Sequence, residues 1–309
     1  IRIWSAPAAL VNFALIGWFV GLGNARAPLA MVLTANAVNI VLDLTLVPGL
    51  GFAVKGVAWA SLIAEHVGTA LGAWLIGKEL ALRPGRWSRA AILHLRDLYA
   101  LFSANAALFL RTLLLMFAFA FLTTMGARQT DTILAANAIL VNLQYLMAYV
   151  LDGFANAAES LTGRAIGARD SAGVGAIVHE CLIWTLAAAL AIAIIFAVAG
   201  PLAIRIVTSV PSVIETAHRY LPWMVLSPLV CAWGFLYDGA FIGAQRPGAM
   251  FGVMLVAVVV VFLPVWWLTR GFGNHGLWFA FTAFNAARGL QQHLIFRDWL
   301  RHGSLLEVR

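Results

Sequence analysis

Nine stretches of this chain are long and apolar enough to cross a bilayer as helices. That feature removes most folds from consideration. A crossing takes about 20 apolar residues at 1.5 Å per residue. The stretches are residues 3–23, 29–47, 54–76, 98–125, 132–158, 181–199, 220–244, 248–268 and 276–296. Breakers separate them: Pro28, Pro48-Gly49, Pro84-Gly85, Gly126, Gly200-Pro201, Pro247-Gly248, and the run from Gly271 to Gly276. A spanning strand would need strict apolar–polar alternation, which the sequence lacks, so the expected fold is an all-α polytopic membrane protein. Composition points the same way. The chain is 62% hydrophobic and 11% charged, where soluble domains are roughly one quarter charged.

The net charge of +7 is better explained by the membrane than by nucleic acid, because Lys and Arg gather in the loops on the cytoplasmic side. Twelve of them, including Arg26, Arg83, Arg164, Arg169 and Arg246, fall in alternate connections that we place in the cytoplasm. Six, among them Arg128 and Arg270, fall in the others. This predicts a multi-pass protein of the inner (plasma) membrane that binds no nucleic acid. Residues 77–97 hold the longest interruption of the apolar pattern and five basic residues. They are expected to be a basic cytoplasmic linker between one bundle at 1–76 and a larger one at 98–309. Two shorter connections, 163–180 and 200–219, are expected to lie along the membrane surface as amphipathic segments. Cys181 and Cys231 sit in apolar stretches and are expected to pack as free thiols. The chain starts Ile1-Arg2-Ile3-Trp4, without Met, and is expected to be part of a longer protein.

The sequence also repeats itself. Gly51-Phe52-x-x-x-Gly56 recurs as Gly271-Phe272-x-x-x-Gly276, and Pro7 pairs with Pro228. Gly17-x-x-x-Gly21, followed by Arg26-Ala27-Pro28, recurs as Gly239-x-x-x-Gly243 followed by Arg246-Pro247. The offsets are 220, 221 and 222 residues, in the same order. Small-xxx-small spacing alone is common wherever membrane helices pack closely, but three matches at nearly one offset point to duplication. Helices one to three then match helices seven to nine. The counterpart of helices four to six would precede residue 1, about 120 residues more by the same repeat logic. The expected whole is twelve helices in two lobes of six, related by a pseudo-twofold axis along the membrane normal.

Charged groups inside apolar spans cost free energy and mark pathways. Asp43, Glu65, Asp152, Glu159 and Asp238 are the acids within or at the ends of the spans. Asp152, Asn156 and Glu159 follow i, i+4, i+7 and share one helical face; Asn36, Asn39 and Asp43 do likewise. Such stripes suit the wall of a water-filled cavity that holds a cation or a proton. Each also has a plainer explanation, a hydrogen bond to a neighbouring helix. Arg111 and Arg288, the basic residues inside spans, are expected to be counter-ions to these acids. His66 fits a packed, hydrogen-bonded role, and the twelve Trp are mostly interfacial anchors. No phosphate loop, paired metal-ligand spacing or nucleophile elbow is present, so neither an enzyme nor a cofactor or metal site is expected.

Gly17-Trp18-Phe19-Val20-Gly21 with Arg26-Ala27-Pro28, then Asn39-Ile40-Val41-Leu42-Asp43, Leu151-Asp152-Gly153-Phe154 with Glu159, Gly167-Ala168-Arg169-Asp170, and Asp238-Gly239-x-Phe241-Ile242-Gly243-Ala244 together resemble the multidrug and toxic compound extrusion (MATE) family, in its DinF-like branch. The resemblance runs over essentially the whole chain. It implies a twelve-helix, two-lobe antiporter for organic cations, entered here at the fourth helix. The sodium-coupled branch is associated with a glutamate on the seventh helix, and the matching span, 98–125, has no acid. The resemblance therefore favours protons over sodium, although the aspartate of the first helix associated with proton coupling lies outside this sequence. The expected function is proton-coupled export of amphipathic organic cations, with Asp152, Asp238 and Asp43, and behind them Glu159, Asn156, Asn39 and Glu65, as cation- or proton-binding groups. The alternative is a flippase for lipid-linked oligosaccharides, which would call for a cationic cavity.

Overall fold

The computed structural model of the chain describes residues 1–82, 88 and 93–305. Among these residues every regular element is helical. The chain divides into two compact units, Ile1–Ile92 and Leu93–Arg309. The central part of the expected basic linker, residues 83–87 and 89–92, lies outside the described residues. Its ends, Gly77 to Ala81 and Leu95 to Asp97, belong to the flanking helices.

The first unit is a three-helix bundle: α1 (Ala6–Gly21), α2 (Arg26–Leu44) and α3 (Ala53–Ala81). A π-helical stretch, Thr45–Gly49, extends α2 around Pro48, whose ring cannot donate to the helix ladder. What holds the bundle is the buried face of α3, which reads Gly56, Ala60, Ala64, Gly68, Gly72, one small residue every fourth position. Such a ridge lets a neighbouring helix approach closely, the main source of packing energy where lipid is as apolar as the side chains. A Cβ on Gly72 would lie 2.6 Å from Met31 Cε and 2.7 Å from Leu15 Cδ1, so both side chains use the space that its missing side chain leaves.

The second unit runs α4 (Leu95–Ala127), α5 (Asp131–Gly167), α6 (Ser171–Val207), α7 (Pro211–Gly243), α8 (Pro247–Val256), a π-helical stretch (Ala257–Phe262), α9 (Leu263–Thr269) and α10 (Asn274–His302). Helix α7 is the axis, with α5, α6 and α10 packed around it, while α4 leans on α8. Leu122, Leu140, Met147, Leu151, Phe262, Trp278 and Phe284 form the core. Edge-to-face aromatic pairs knit it, such as Phe121 with Trp266 at 4.8 Å and 88°.

Neither expected surface segment forms a separate element. Helix α5 continues to Gly167 and α6 begins at Ser171, so 163–180 is two helix ends and a tight turn. Arg169 takes a left-handed conformation in that turn, φ 59°, and the Asp170 carboxylate accepts from the Gly173 amide at 2.8 Å, capping α6. Likewise α6 passes through Gly200-Pro201 to Val207, and α7 opens at Pro211. Backbone groups in lipid have no partner outside the helix, so continuing past a proline costs less than stopping. Seven of the nine expected spans are apolar enough to cross a membrane by composition. The other two, 54–76 and 276–296, lie within helices of 29 residues each, α3 and α10, that carry more polar groups.

Local structure repeats where the sequence does. Helix α1 ends at Gly21 and α7 at Gly243, 222 residues on (243 against 21). Both then close with one hydrogen-bond pattern: Gly23 to Val20 (2.8 Å) and Asn24 to Phe19 (2.9 Å), against Gln245 to Ile242 (2.9 Å) and Arg246 to Phe241 (3.0 Å). This is the Schellman closure, with Gly23 (φ 71°) and Gln245 (φ 54°) in the left-handed region. Helices α3 and α10 start at 53 and 274 and end at 81 and 302, each 221 apart, behind positive-φ Gly51 and Gly273.

Candidate functional site

In the second unit the acid near the C-terminal end of α7, Asp238, is committed. One oxygen of Asp238, Oδ2, accepts from the Arg111 guanidinium of α4 and lies 3.7 Å from Arg288 Nη2 of α10. The other, Oδ1, accepts from Gln292 Nε2 at 2.6 Å. Arg288 is 3% exposed. Its room comes from Gly234, where a Cβ would lie 2.7 Å from Nη2, and its guanidinium carbon sits 5.5 Å from the centre of the Phe235 ring. Arg288 Nε and Nη2, Arg111 Nε and Gln292 Oε1 are buried without hydrogen-bond partners. Desolvation makes such a cluster costly unless its charges balance.

Asp152 is different. It is exposed on α5, feels the charges of Asp238, Arg288 and Arg111, and has no hydrogen-bond or ion-pair partner among the described residues. Asn156 is also exposed and Glu159 half-buried on the same face. The backbone behind Glu159 is pressed against Gly243 of α7. Two aspartates and two arginines thus share one region of the unit, three of them joined and Asp152 open.

The first unit has its own polar cluster. Asn12 of α1 donates to Glu65 Oε2 at 2.9 Å and to the Glu65 carbonyl at 3.1 Å. The Thr69 hydroxyl lies 3.1 Å from Asn12 Oδ1 and 2.9 Å from the Glu65 carbonyl. A cleft of about 190 Å³, lined by Asn12, Phe13, Met31, Asn36 and Glu65 among others, opens beside them. One turn along, the Asn39 amide has its nitrogen 3.2 Å from Asp43 Oδ2 and its oxygen 3.2 Å from the Ser61 amide, in the orientation its neighbours require. Asp43 Oδ1 is buried without a partner. The i, i+4 pairing of Asn39 with Asp43 is thus a direct contact. Among the described residues no three His, Cys, Asp or Glu side chains converge as a metal ion would need.

Other polar groups carry no sequence signal, being uncharged and standing at no helical i+3, i+4 or i+7 spacing from an acid. Asn137 and Asn274 exchange two amide hydrogen bonds, 2.8 and 2.9 Å, and Trp278 Nε1 adds a third to Asn137 Oδ1 at 2.9 Å. Ser227 donates to Gln144 Oε1 at 2.7 Å. Asn12 carried a signal, an amide with no other strongly polar neighbour in its apolar run.

Long apolar helices, with Arg111, Asp238 and Arg288 joined inside the second unit, define a polytopic membrane protein, and the MatE family model matches residues 107–268. The chain belongs to the MatE family and is a multi-pass inner-membrane protein. It is 38% identical to DNA damage-inducible protein F of Escherichia coli, over 98% of this chain and 66% of that protein. It is 29% identical to the probable multidrug resistance protein NorM of Caulobacter vibrioides, over 96% of this chain and 64% of that one. A crystal structure of the Vibrio cholerae MATE transporter VcmN superposes with a TM-score of 0.88 at 20% identity, over 99% of this chain and 70% of that one. At that identity the match shows the fold alone. A Pyrococcus furiosus MOP-superfamily transporter, described by the reverse polarity of its binding pocket, superposes with a TM-score of 0.84 at 18% identity, over 96% of this chain and 68% of that one. The chain spans about two thirds of the length of the bacterial relatives and little more than half of plant DETOXIFICATION proteins such as number 42 of Arabidopsis thaliana, to which it is 23% identical over 93% of its length.

Proposed function

We propose that this chain is the larger part of a proton-coupled antiporter that exports amphipathic organic cations by alternating access. The observation that carries the reading is Asp152, an acid on a membrane-spanning helix with no hydrogen-bond or ion-pair partner among the described residues, on a chain of a family of transporters rather than enzymes. A carboxylate so placed stabilises either a proton or a positively charged passenger, and competition between the two couples their movements. Asp43 and Glu65, held by amides rather than by arginines, offer the same choice in the first unit. Protons are preferred to sodium because α4 carries Arg111, and no acid, through residues 98–125.

The flippase reading draws on Arg111 and Arg288, which a pyrophosphate would find attractive. Asp238 and Asp152 balance those two charges one for one, so the region has no cationic surplus, and the antiporter reading is the better supported. The test is ethidium uptake into inverted vesicles carrying the full-length protein. A pH gradient should drive it, a sodium gradient at matched pH should not, and Asp152→Asn should abolish it. Undiminished uptake in Asp152→Asn would overturn the assignment.

A further inference from the structure

The contact between Arg111 and Asp238 bridges two helices that otherwise barely meet. Helix α4 packs mainly on α8, with smaller contacts to α5 and α10, and its backbone shares next to nothing with α7. Arg111 nevertheless extends to the α7 carboxylate and leaves its own Nε buried and unpartnered. Asp238 does not need this arginine for neutrality. Arg288 already supplies a positive charge 3.7 Å away, and Gln292 serves the other oxygen. The two arginines are held differently. Arg288 is packed against Gly234 and is 3% exposed; the Arg111 side chain is 16% exposed. One carboxylate thus holds two cations, while Asp152 in the same field holds none.

We propose that Arg111 is a tethered counter-cation that occupies Asp238 in the empty transporter and is displaced when an organic cation docks there. This rests on the antiporter reading and deepens it, because it names the group a passenger must outcompete. The exchange keeps one mobile positive charge on the carboxylate throughout, so Asp238 is not left bare in a poorly solvated site. It also sets selectivity. A guanidinium is weakly hydrated and holds a carboxylate with directed hydrogen bonds. A passenger that brings apolar contact of its own can replace it, whereas an alkali ion, which must shed its water and brings no such contact, cannot.

The test uses the purified full-length protein in detergent, with tetraphenylphosphonium and sodium as the two probes. Removing a charged hydrogen bond should tighten tetraphenylphosphonium binding about tenfold in Arg111→Gln. Arg111→Lys, which keeps the charge but loses the fork, should fall between it and the wild type. Sodium should raise the melting temperature of Arg111→Gln and not of the wild type. Adding Asp238→Asn to Arg111→Gln should erase both gains. If Arg111→Gln does not fold, the lysine variant decides. Unchanged or weaker tetraphenylphosphonium binding in the folded variants, with the wild type still binding, overturns the tethered counter-cation and leaves the antiporter reading standing. No binding by wild type or variants overturns both. Binding by the Arg111 variants alone supports the proposal.

Discussion

Gly239 of α7 and Ala155 of α5 meet backbone to backbone: a Cβ on Gly239 would run into the Ala155 carbonyl. One turn on, Gly243 meets the Glu159 carbonyl in the same way. The crossing fixes how far apart the helices bearing Asp238 and Asp152 sit, and no flexible side chain is there to give way. Gly239→Ala should therefore destabilise by about 1–3 kcal/mol through overpacking. Gly252→Ala, whose Cβ would meet nothing within 4 Å, should be neutral or stabilise by up to about 1 kcal/mol through helix propensity. Thermal unfolding of the two purified variants checks the contrast. Equal melting temperatures would refute the close crossing.

The amide pair of Asn137 and Asn274, with Trp278 as third member, is buried and closed. Asn137→Leu strips the Asn274 and Trp278 donors of their acceptor, at about 1–3 kcal/mol for each group left unpaired. A drop in melting temperature with normal insertion is the expected outcome. An unchanged melting temperature would show that the pair contributes nothing.

Asp238 and Asp152 should separate in a stability assay. Asp238→Asn leaves two arginines without their anion and should destabilise by about 3–5 kcal/mol. Adding Arg111→Gln should restore part of that loss, because the second change removes the surplus charge. Asp152→Asn removes an exposed group without partners and should stay within about 0.5 kcal/mol of the wild type. Urea or thermal denaturation of these three variants, of Arg111→Gln alone and of the wild type gives the comparison, and additive losses in the double variant would refute the coupling.

In the first unit, Asn12→Ala leaves Glu65 without its amide donor and Thr69 without one acceptor. The expected cost is about 1–2 kcal/mol. Asn12→Asp adds a second negative charge 53 residues from Glu65 in sequence but in contact with it, and should be worse than alanine. Melting temperatures in the order wild type, alanine, aspartate check this, and an aspartate variant as stable as the wild type would sink it.

Much of this was legible in the residues. Apolar run length gave the helices, because lipid forbids any other local solution. The glycine echo marked two like helix ends, since Gly21 and Gly243 each close a helix with the same hydrogen-bond pattern. The i, i+4 stripe gave the Asn39–Asp43 contact, which one helix decides by itself. Helix ends are less legible. Gly200-Pro201 reads as a break, yet α6 runs through it. The union of Arg111, Asp238 and Arg288 was legible only as a pairing of charges, not as a geometry. Arg111 and Asp238 are 127 residues apart, and their meeting depends on three helices packing correctly. The amides of Asn137, Asn274 and Gln292 carry no charge and have no acid at i+3, i+4 or i+7 spacing on their own helix to mark them.

Helices α5 and α6, 37 residues each and joined by the tight turn at Arg169, have a further consequence. At 1.5 Å per residue each is about 55 Å long, against an oily layer of about 30 Å. Each helix is therefore longer than the oily layer is thick, and must tilt within it or reach beyond it. A dye or spin label at the turn, held by both helices at once, reports that tilt directly, which makes the turn the natural place to watch the protein work.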